Sequence, residues 1–403
     1  MINSNVHDLR LQAKARLPRM FFDYIDGGAF SEKTMGWNIA DFDQWWLEQR
    51  IMVDLSERDL STRFLGRDYK LPIMLAPVGF TGMFWPNGEV EAAKAARQAG
   101  IPMCLSTFSI NSIEEVAECL PRGDMAFQLY VFKDRVLAAD LLARAGAMGV
   151  NTLFLTADTD VSSVRERDTR NGFRTAASLN FSALRDFASR PGWCMRMARQ
   201  GMPQLGNVRG REGIPDTLMA QASYLSGNVD PSMTWSDLAW LRERWPGKIV
   251  LKGVLSVSDA RRAMEAGVDA IVVSNHGGRQ LDGARSSISA LPEISHFIDG
   301  RLQVLFDGGI RRGSDVIKAL ALGADAVLIG RAFAYGLAAN GRQGVLDAIE
   351  FIRAEAEITM ALMGITRTEE IKGAIEPIIH PRAQWAHKGC MPVPLDFYPG
   401  AGV

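Results

Sequence analysis

Cysteine is scarce and poorly spaced for metal binding. Cys104, Cys119, Cys194 and Cys390 form no ligand pattern, and Cys104 falls within an expected strand. They read as reduced thiols of a cytoplasmic protein, with no metal site. No charge of one sign dominates, since 45 Lys and Arg stand against 46 Asp and Glu in 403 residues. A net charge of −1 supplies no general basic field, so no nucleic-acid partner is expected. Every apolar run is broken by Pro, Gly or a charge well short of the roughly 20 residues that a membrane span needs. Membrane contact must therefore be peripheral, on the inner face of the cell membrane. No charged-then-apolar leader opens the chain, and none is expected. Also missing are a Walker loop, a G-x-G-x-x-G after a strand, and a His-Glu-x-x-His.

What is there is a rhythm. Hydrophobic residues make up 47% and charged residues 23%, a globular profile with ample core. Apolar strand patterns recur at 73–78, 102–106, 126–130 and 152–157, then at 248–253, 269–274, 302–307 and 325–330. Helix-like stretches such as 88–100, 112–120 and 134–149 lie between them. Strand–helix alternation predicts a parallel sheet with right-handed crossovers. Eight such units predict an α/β fold of the (β/α)8 TIM-barrel type, with its core at about 71–340 of a single domain over 1–403. A doubly wound open sheet is the alternative. The segment 9–26 reads as helical, interrupted by Pro18 and stopped by Gly27-Gly28. Residues 344–378 read as helices packed on the barrel, and 381–403 as an extended tail over a surface or a neighbouring subunit.

The rhythm breaks once. Between the fourth and fifth strands lies an insert at about 172–232, longer than an ordinary crossover. Its middle, 181–211, mixes Phe181, Leu184, Phe187, Trp193, Met195 and Met197 with Arg185, Arg190, Arg196, Arg199, Arg209 and Arg211. Such a segment suits an anionic membrane surface. It also suits an active-site lid that happens to be basic, and both readings stand.

Function in such a barrel belongs at the C-terminal strand ends. Those ends carry Ala76-Pro77-Val78-Gly79, Ser106 with Phe108, Gln128-Leu129-Tyr130, and Thr156-Ala157-Asp158 with Arg165. They continue with Lys252, with Ser274 before His276 and Arg279, with Asp307-Gly308-Gly309-Ile310-Arg311, and with Gly330-Arg331. The glycines of the last two ends let backbone N–H groups approach a phosphate, with Arg311 and Arg331 adding charge. Glycine turns beside surface arginines are the plainer reading. Asp158 and His276 form a sensible acid–base pair, in which the carboxylate would stabilise the imidazolium and raise its pKa. Arg165, Arg279, Tyr24 and Tyr130 are equipped to bind a carboxylate and an adjacent oxygen. Lys252 offers a positive charge to an electron-rich ring.

The ordered stretches Tyr24-Ile-Asp-Gly-Gly-Ala29, Leu75-Ala-Pro-Val-Gly79, Phe127-Gln-Leu-Tyr-Val131, Arg165-Glu-Arg-Asp168 and Val250-Leu-Lys-Gly253 form a recognisable series. Ser274-Asn-His-Gly-Gly-Arg-Gln-Leu-Asp282 and Asp307-Gly-Gly-Ile-Arg-Arg-Gly313 extend it. Over about 5–375 the chain resembles the FMN-dependent L-2-hydroxy acid oxidases and dehydrogenases. The resemblance implies FMN as cofactor and His276 as the active-site base, with Asp158 stabilising its imidazolium. Arg279 and Tyr24 would hold the substrate carboxylate, with Arg165 in support, and Tyr130 would contact the reacting oxygen. Lys252 would offset charge on the reduced ring. Ala76, Pro77, Val78 and Gly79 would line the ring, and Ser106, Gln128, Thr156 and Ser274 would bond its polar edges. Asp307, Gly308, Gly309, Arg311, Gly330 and Arg331 would hold the ribityl chain and phosphate.

Two departures narrow the resemblance. Plant-type oxidases carry Ala where Gly79 stands, so Gly79 is similar to dehydrogenases that pass electrons to quinone or another acceptor rather than oxygen. Phe108 is bulky where mandelate-type enzymes are small, which implies a small substrate such as L-lactate. Val229-Asp-Pro-Ser-Met-Thr-Trp235 looks most like quinone-linked bacterial lactate dehydrogenases. Pro191-Gly-Trp193 and Met202-Pro-Gln-Leu-Gly206 fit mandelate dehydrogenases equally well. No haem domain is expected ahead of the barrel. The resemblance also implies a homotetramer, and it leaves open a soluble oxygen-using oxidase.

Overall fold

Short, almost wholly buried apolar segments form the centre of the structure, a computed structural model that describes residues 2–173, 181–372 and 379–381. They are β1 (Ile73–Leu75), β2 (Met103–Ser106), β3 (Met125–Leu129) and β4 (Thr152–Thr156), followed by β5 (Lys248–Val254), β6 (Ala270–Val273), β7 (Gln303–Asp307) and β8 (Ala326–Ile329). Each pairs in parallel with its sequence neighbour, and β8 pairs back onto β1 through Val327 opposite Ile73. The sheet is thus a closed barrel, and the open doubly wound alternative is excluded.

Several strands stop before their sequence pattern does. The strand ends at Leu75; Ala76 still donates to the Ile329 carbonyl at 3.0 Å, and the ladder stops at Pro77, which has no N–H to donate. Ser274 and Gly330 likewise fall just outside β6 and β8. Apolar patterning continues past the ladder at Ala76 to Val78 because these residues wall the barrel mouth. The opposite end is plugged. A hairpin of Thr62–Phe64 and Arg67–Tyr69 sends Phe64, Leu65 and Tyr69 into the interior cluster with Met74, Phe154 and Leu305.

At the N-terminus, α1 (Val6–Arg16) and α2 (Arg19–Asp26) are separated at Pro18, which breaks the helical bonding. The last carbonyls of α2 have no partners within the helix. Arg279 donates to the carbonyls of Tyr24 and Gly27 at 2.6 and 2.9 Å, and Arg331 to those of Ile25 and Gly27 at 3.0 and 2.8 Å. Two cations therefore cap the helix end that carries Tyr24, in the sense its dipole favours. Asp26 is buried and takes bonds from Arg10, Arg167 and Tyr335. Although burial opposes its charge, these partners hold its carboxyl at about 2.

The first crossover is α3 (Gly88–Ala99), and the insert leaves β4 through α4 (Glu166–Asn171), α5 (Phe181–Ala188), α6 (Pro191–Gln200) and α7 (Leu218–Asn228). Much of its apolar content turns inward. Trp193 is buried, donates Nε1–H to the Met83 carbonyl at 2.9 Å and stacks on Phe21 at 5.2 Å. Met197 is also buried, while Leu184, Met195 and Met202 remain exposed. The charges are partly spoken for as well: Arg196 lies over Trp85, and Arg211 pairs with Asp140.

The helix α8 (Arg331–Leu362) starts directly at the end of β8, ahead of the helical stretch expected from 344. It bends at Asn340–Gly341 and is followed by Thr368–Lys372. Ile379–Pro381 pairs antiparallel with Trp45–Leu47. The remainder of the expected tail, with Cys390, lies outside the described residues. Among the described residues no helix is long and apolar enough to cross a membrane, and no group of side chains suits a metal ion.

Candidate active site

One cavity of about 380 Å³ opens at the C-terminal end of the barrel. His276 lines it from the loop after β6. Behind it, Asp158 Oδ1 lies 3.0 Å from His276 Nδ1. With the carboxylate ionised, Nδ1 carries the proton, and Nε2 is the basic nitrogen left to the cavity. Room for Asp158 comes from Gly253 at φ +108, where a Cβ would sit 2.7 Å from that of Asp158.

The expected rise in the His276 pKa does not occur. Burial pushes it down first; Asp158 opposes this, but Lys252 and Arg165 add to the lowering. The imidazole therefore stays neutral to below its ordinary 6.5. The pairing is nevertheless real from the other side. Burial alone would raise Asp158, yet His276 and Lys252 bring it below the usual carboxylate range.

Tyr24, Tyr130, Arg165 and Arg279 all line the cavity, as expected. Arg279 lies over the Tyr24 ring at 4.9 Å. Burial, and then Asp158, raise the Tyr130 hydroxyl well above its ordinary value, so it remains a donor. Phe108 packs edge-on against Tyr130 at 5.5 Å. Gly79 lies under it: a Cβ there would be 3.0 Å from that of Phe108 and 3.4 Å from the Tyr24 hydroxyl.

Lys252 is buried across the barrel mouth and contacts Asp307 Oδ2 at 2.5 Å and Ser274 Oγ at 2.7 Å. Burial alone would discharge it, but Asp307 and Asp158 outweigh that and hold it protonated. Ala76, Pro77, Val78 and Ser106 line the same cavity, as do Gly308, Gly309, Arg311 and Gly330. Arg331 lines it too, with three of its five N–H groups given to the carbonyls of Ile25, Gly27 and, at 2.8 Å, Gly277. Burial, with Arg279 and Arg311 nearby, presses the Arg331 pKa down to about 9. A cluster of three arginines short of negative charge is a seat for anions.

Asp158, Gln128, Thr156 and Ser274 are not on the cavity surface. Gln128 Nε2 and Thr156 Oγ1 are buried without a hydrogen-bond partner. Sequence reasoning missed other wall residues. Asp168, 1% exposed, stands 3.9 Å from Arg165 on α4, and only its i+3 spacing from Arg165 hinted at this. Met219, Ala222, Ser223, Ser226 and Val229 line the cavity from α7 and its end. Their spacing is that of one helical face, a signal present in the sequence but hidden within an insert read for its charge.

A sequence model of the FMN-dependent dehydrogenases matches residues 13–376. An L-lactate dehydrogenase of Caulobacter vibrioides (strain NA1000 / CB15N) is 46% identical over 388 residues, 95% of this chain and 100% of that protein. One of Xanthomonas campestris pv. campestris (strain 8004) is 46% identical over 374 residues, 93% of this chain and 96% of that protein. Among solved structures, a monotopic membrane protein, (S)-mandelate dehydrogenase, matches with TM-score 0.89 and 40% identity, covering 94% of this chain and 100% of that one.

Proposed function

This chain belongs to the FMN-dependent dehydrogenase family, and from that premise we propose that it oxidises L-lactate to pyruvate and passes the electrons to a quinone or another acceptor that is not oxygen. FMN, when bound, supplies the two-electron chemistry. The residues fit it. Gln128 and Thr156 offer unpartnered polar atoms to a ring edge, and Lys252 offers a buried cation. Gly308, Gly309, Arg311, Gly330 and Arg331 would take the phosphate end, and Ala76 to Gly79 would flank the ring.

The observation that carries the reading is the Asp158–His276 pair behind a cavity wall that also holds Arg279 and Tyr130. His276 Nε2 would receive a proton from the substrate as C2 is oxidised. Asp158 would stabilise the cation so formed. Arg279 and Tyr24 would orient the carboxylate, Arg165 would support them, and Tyr130 would donate to the reacting oxygen. Phe108 packs between Tyr130 and Phe80, and its bulk would favour a methyl side chain on C2.

A second reading, L-mandelate or another larger hydroxy acid, draws on the small Ala222 and Ser226 of the α7 face. Steady-state rates across L-lactate, L-mandelate and glycolate, each with a quinone analogue and with oxygen, separate these readings. L-Lactate with the quinone analogue should give the highest kcat/KM. Faster turnover of mandelate, or of oxygen as acceptor, would replace the reading.

We further propose peripheral contact with an anionic membrane at the exposed Leu184, Met195 and Met202. A homotetramer is proposed as well. The exposed Ile51, Met52 and Val53 beside Leu362 offer an apolar face for it.

A further inference from the structure

Ser274 is 1% exposed and follows the last residue of β6. Its hydroxyl has three partners. It accepts from Lys252 Nζ at 2.7 Å and from the His276 backbone N–H at 3.0 Å, and it donates to Asp307 Oδ1 at 2.5 Å. A hydroxyl has one proton to give and two lone pairs to fill. All three are used within the chain.

The partners explain what the hydroxyl is for. Lys252 and Asp307 also touch each other at 2.5 Å, so three side chains close a ring across the ends of β5, β6 and β7. The fourth group on that ring is the His276 backbone. His276 has φ +58, the left-handed conformation that residues with side chains seldom adopt. Gly277 and Gly278 follow at φ +65 and +73, where no side chain opposes it. Such a backbone persists only where its surroundings hold it. Two bonds hold His276: its ring to Asp158, and its N–H to Ser274.

We propose that Ser274 is a positioning residue whose hydroxyl fastens the left-handed backbone of His276 to the buried Lys252–Asp307 pair. The base and the cation then keep a fixed separation across the barrel mouth. The proposal rests on the reading of His276 as the base, but it concerns bonds within the chain.

The test compares wild-type holoenzyme with S274A and S274T by flavin content, kcat, KM, and titration of the His276 imidazole. The last is followed by NMR of histidine-labelled protein and assigned with H276Q. The groups facing that imidazole are Asp158, Lys252 and Arg165. Displacing the loop in S274A should lower kcat by about 10²-fold with flavin retained, and should shift the imidazole midpoint away from the wild-type value. S274T keeps the hydroxyl and should restore both. A merely structural defect would reduce the amount of folded protein without moving the midpoint. Should S274A not fold, S274C is read in the same way.

Wild-type kcat and midpoint in S274A overturn the proposal, and so does equal loss in S274T and S274A. If the wild-type protein turns over no 2-hydroxy acid, the proposed function fails, while the titration still decides this point.

Discussion

Replacing His276 by Gln keeps a side chain of similar size in the loop but removes the basic nitrogen. FMN content should be unchanged, while kcat falls by about 10²–10⁴-fold, the usual contribution of a general base. Flavin absorbance and steady-state turnover check this, and an unchanged rate contradicts the role. The pH profile follows from the sign of the shift. His276 must be neutral to accept a proton, and its pKa lies below 6.5. So kcat/KM should hold at neutral pH and fall only as pH drops through a midpoint below that value. Asp158→Asn removes an influence that raises it, so the limb should move lower still while the rate falls. A limb above 6.5 in the wild-type protein would contradict the geometry. The identity of these residues was legible from their places, Asp158 after the fourth strand and His276 and Arg279 after the sixth. The direction of the His276 shift was not, because burial and the approach of Lys252 and Arg165 exist only in the folded chain.

At the level of elements, the strands were legible as buried apolar runs, and their ends less so. Ala76 to Val78 look like strand in sequence because a cavity wall and a barrel interior ask for the same residue types. The insert was legible as an insert, but its division of labour was not. Trp193 and Met197 share a helix with Met195, yet they face the protein, since helical phase decides exposure. The membrane reading therefore narrows to the outward side chains. Changing Leu184, Met195 and Met202 together to Ser should release the protein from anionic vesicles in a sedimentation assay, with kcat for lactate in solution within about two-fold, as exposed substitutions cost little stability. Retention on the vesicles would place the contact elsewhere. Trp193→Ala should instead cost about 3–5 kcal/mol of stability by emptying a packed site, as measured by denaturant unfolding.

For the whole molecule, eight strand–helix units made closure predictable, because the count matches the barrel and the crossovers share one hand. Less predictable were the ties that place the N-terminal helices over the barrel mouth. Asp26 joins Arg10, Arg167 and Tyr335 from three distant parts of the chain. Arg279 and Arg331 cap the same helix end from two different strand loops. Long-range hydrogen bonds and ion pairs of this kind leave no periodic trace in a sequence. Together with the plugged lower end of the barrel, they frame an opening where the proposed base, carboxylate anchors and cofactor seat converge. The most direct test of that convergence is to add L-lactate to the purified, FMN-loaded protein without oxygen and record its visible spectrum. The flavin absorbance should bleach at a rate consistent with turnover. A spectrum unchanged by L-lactate, L-mandelate and glycolate alike would contradict the account.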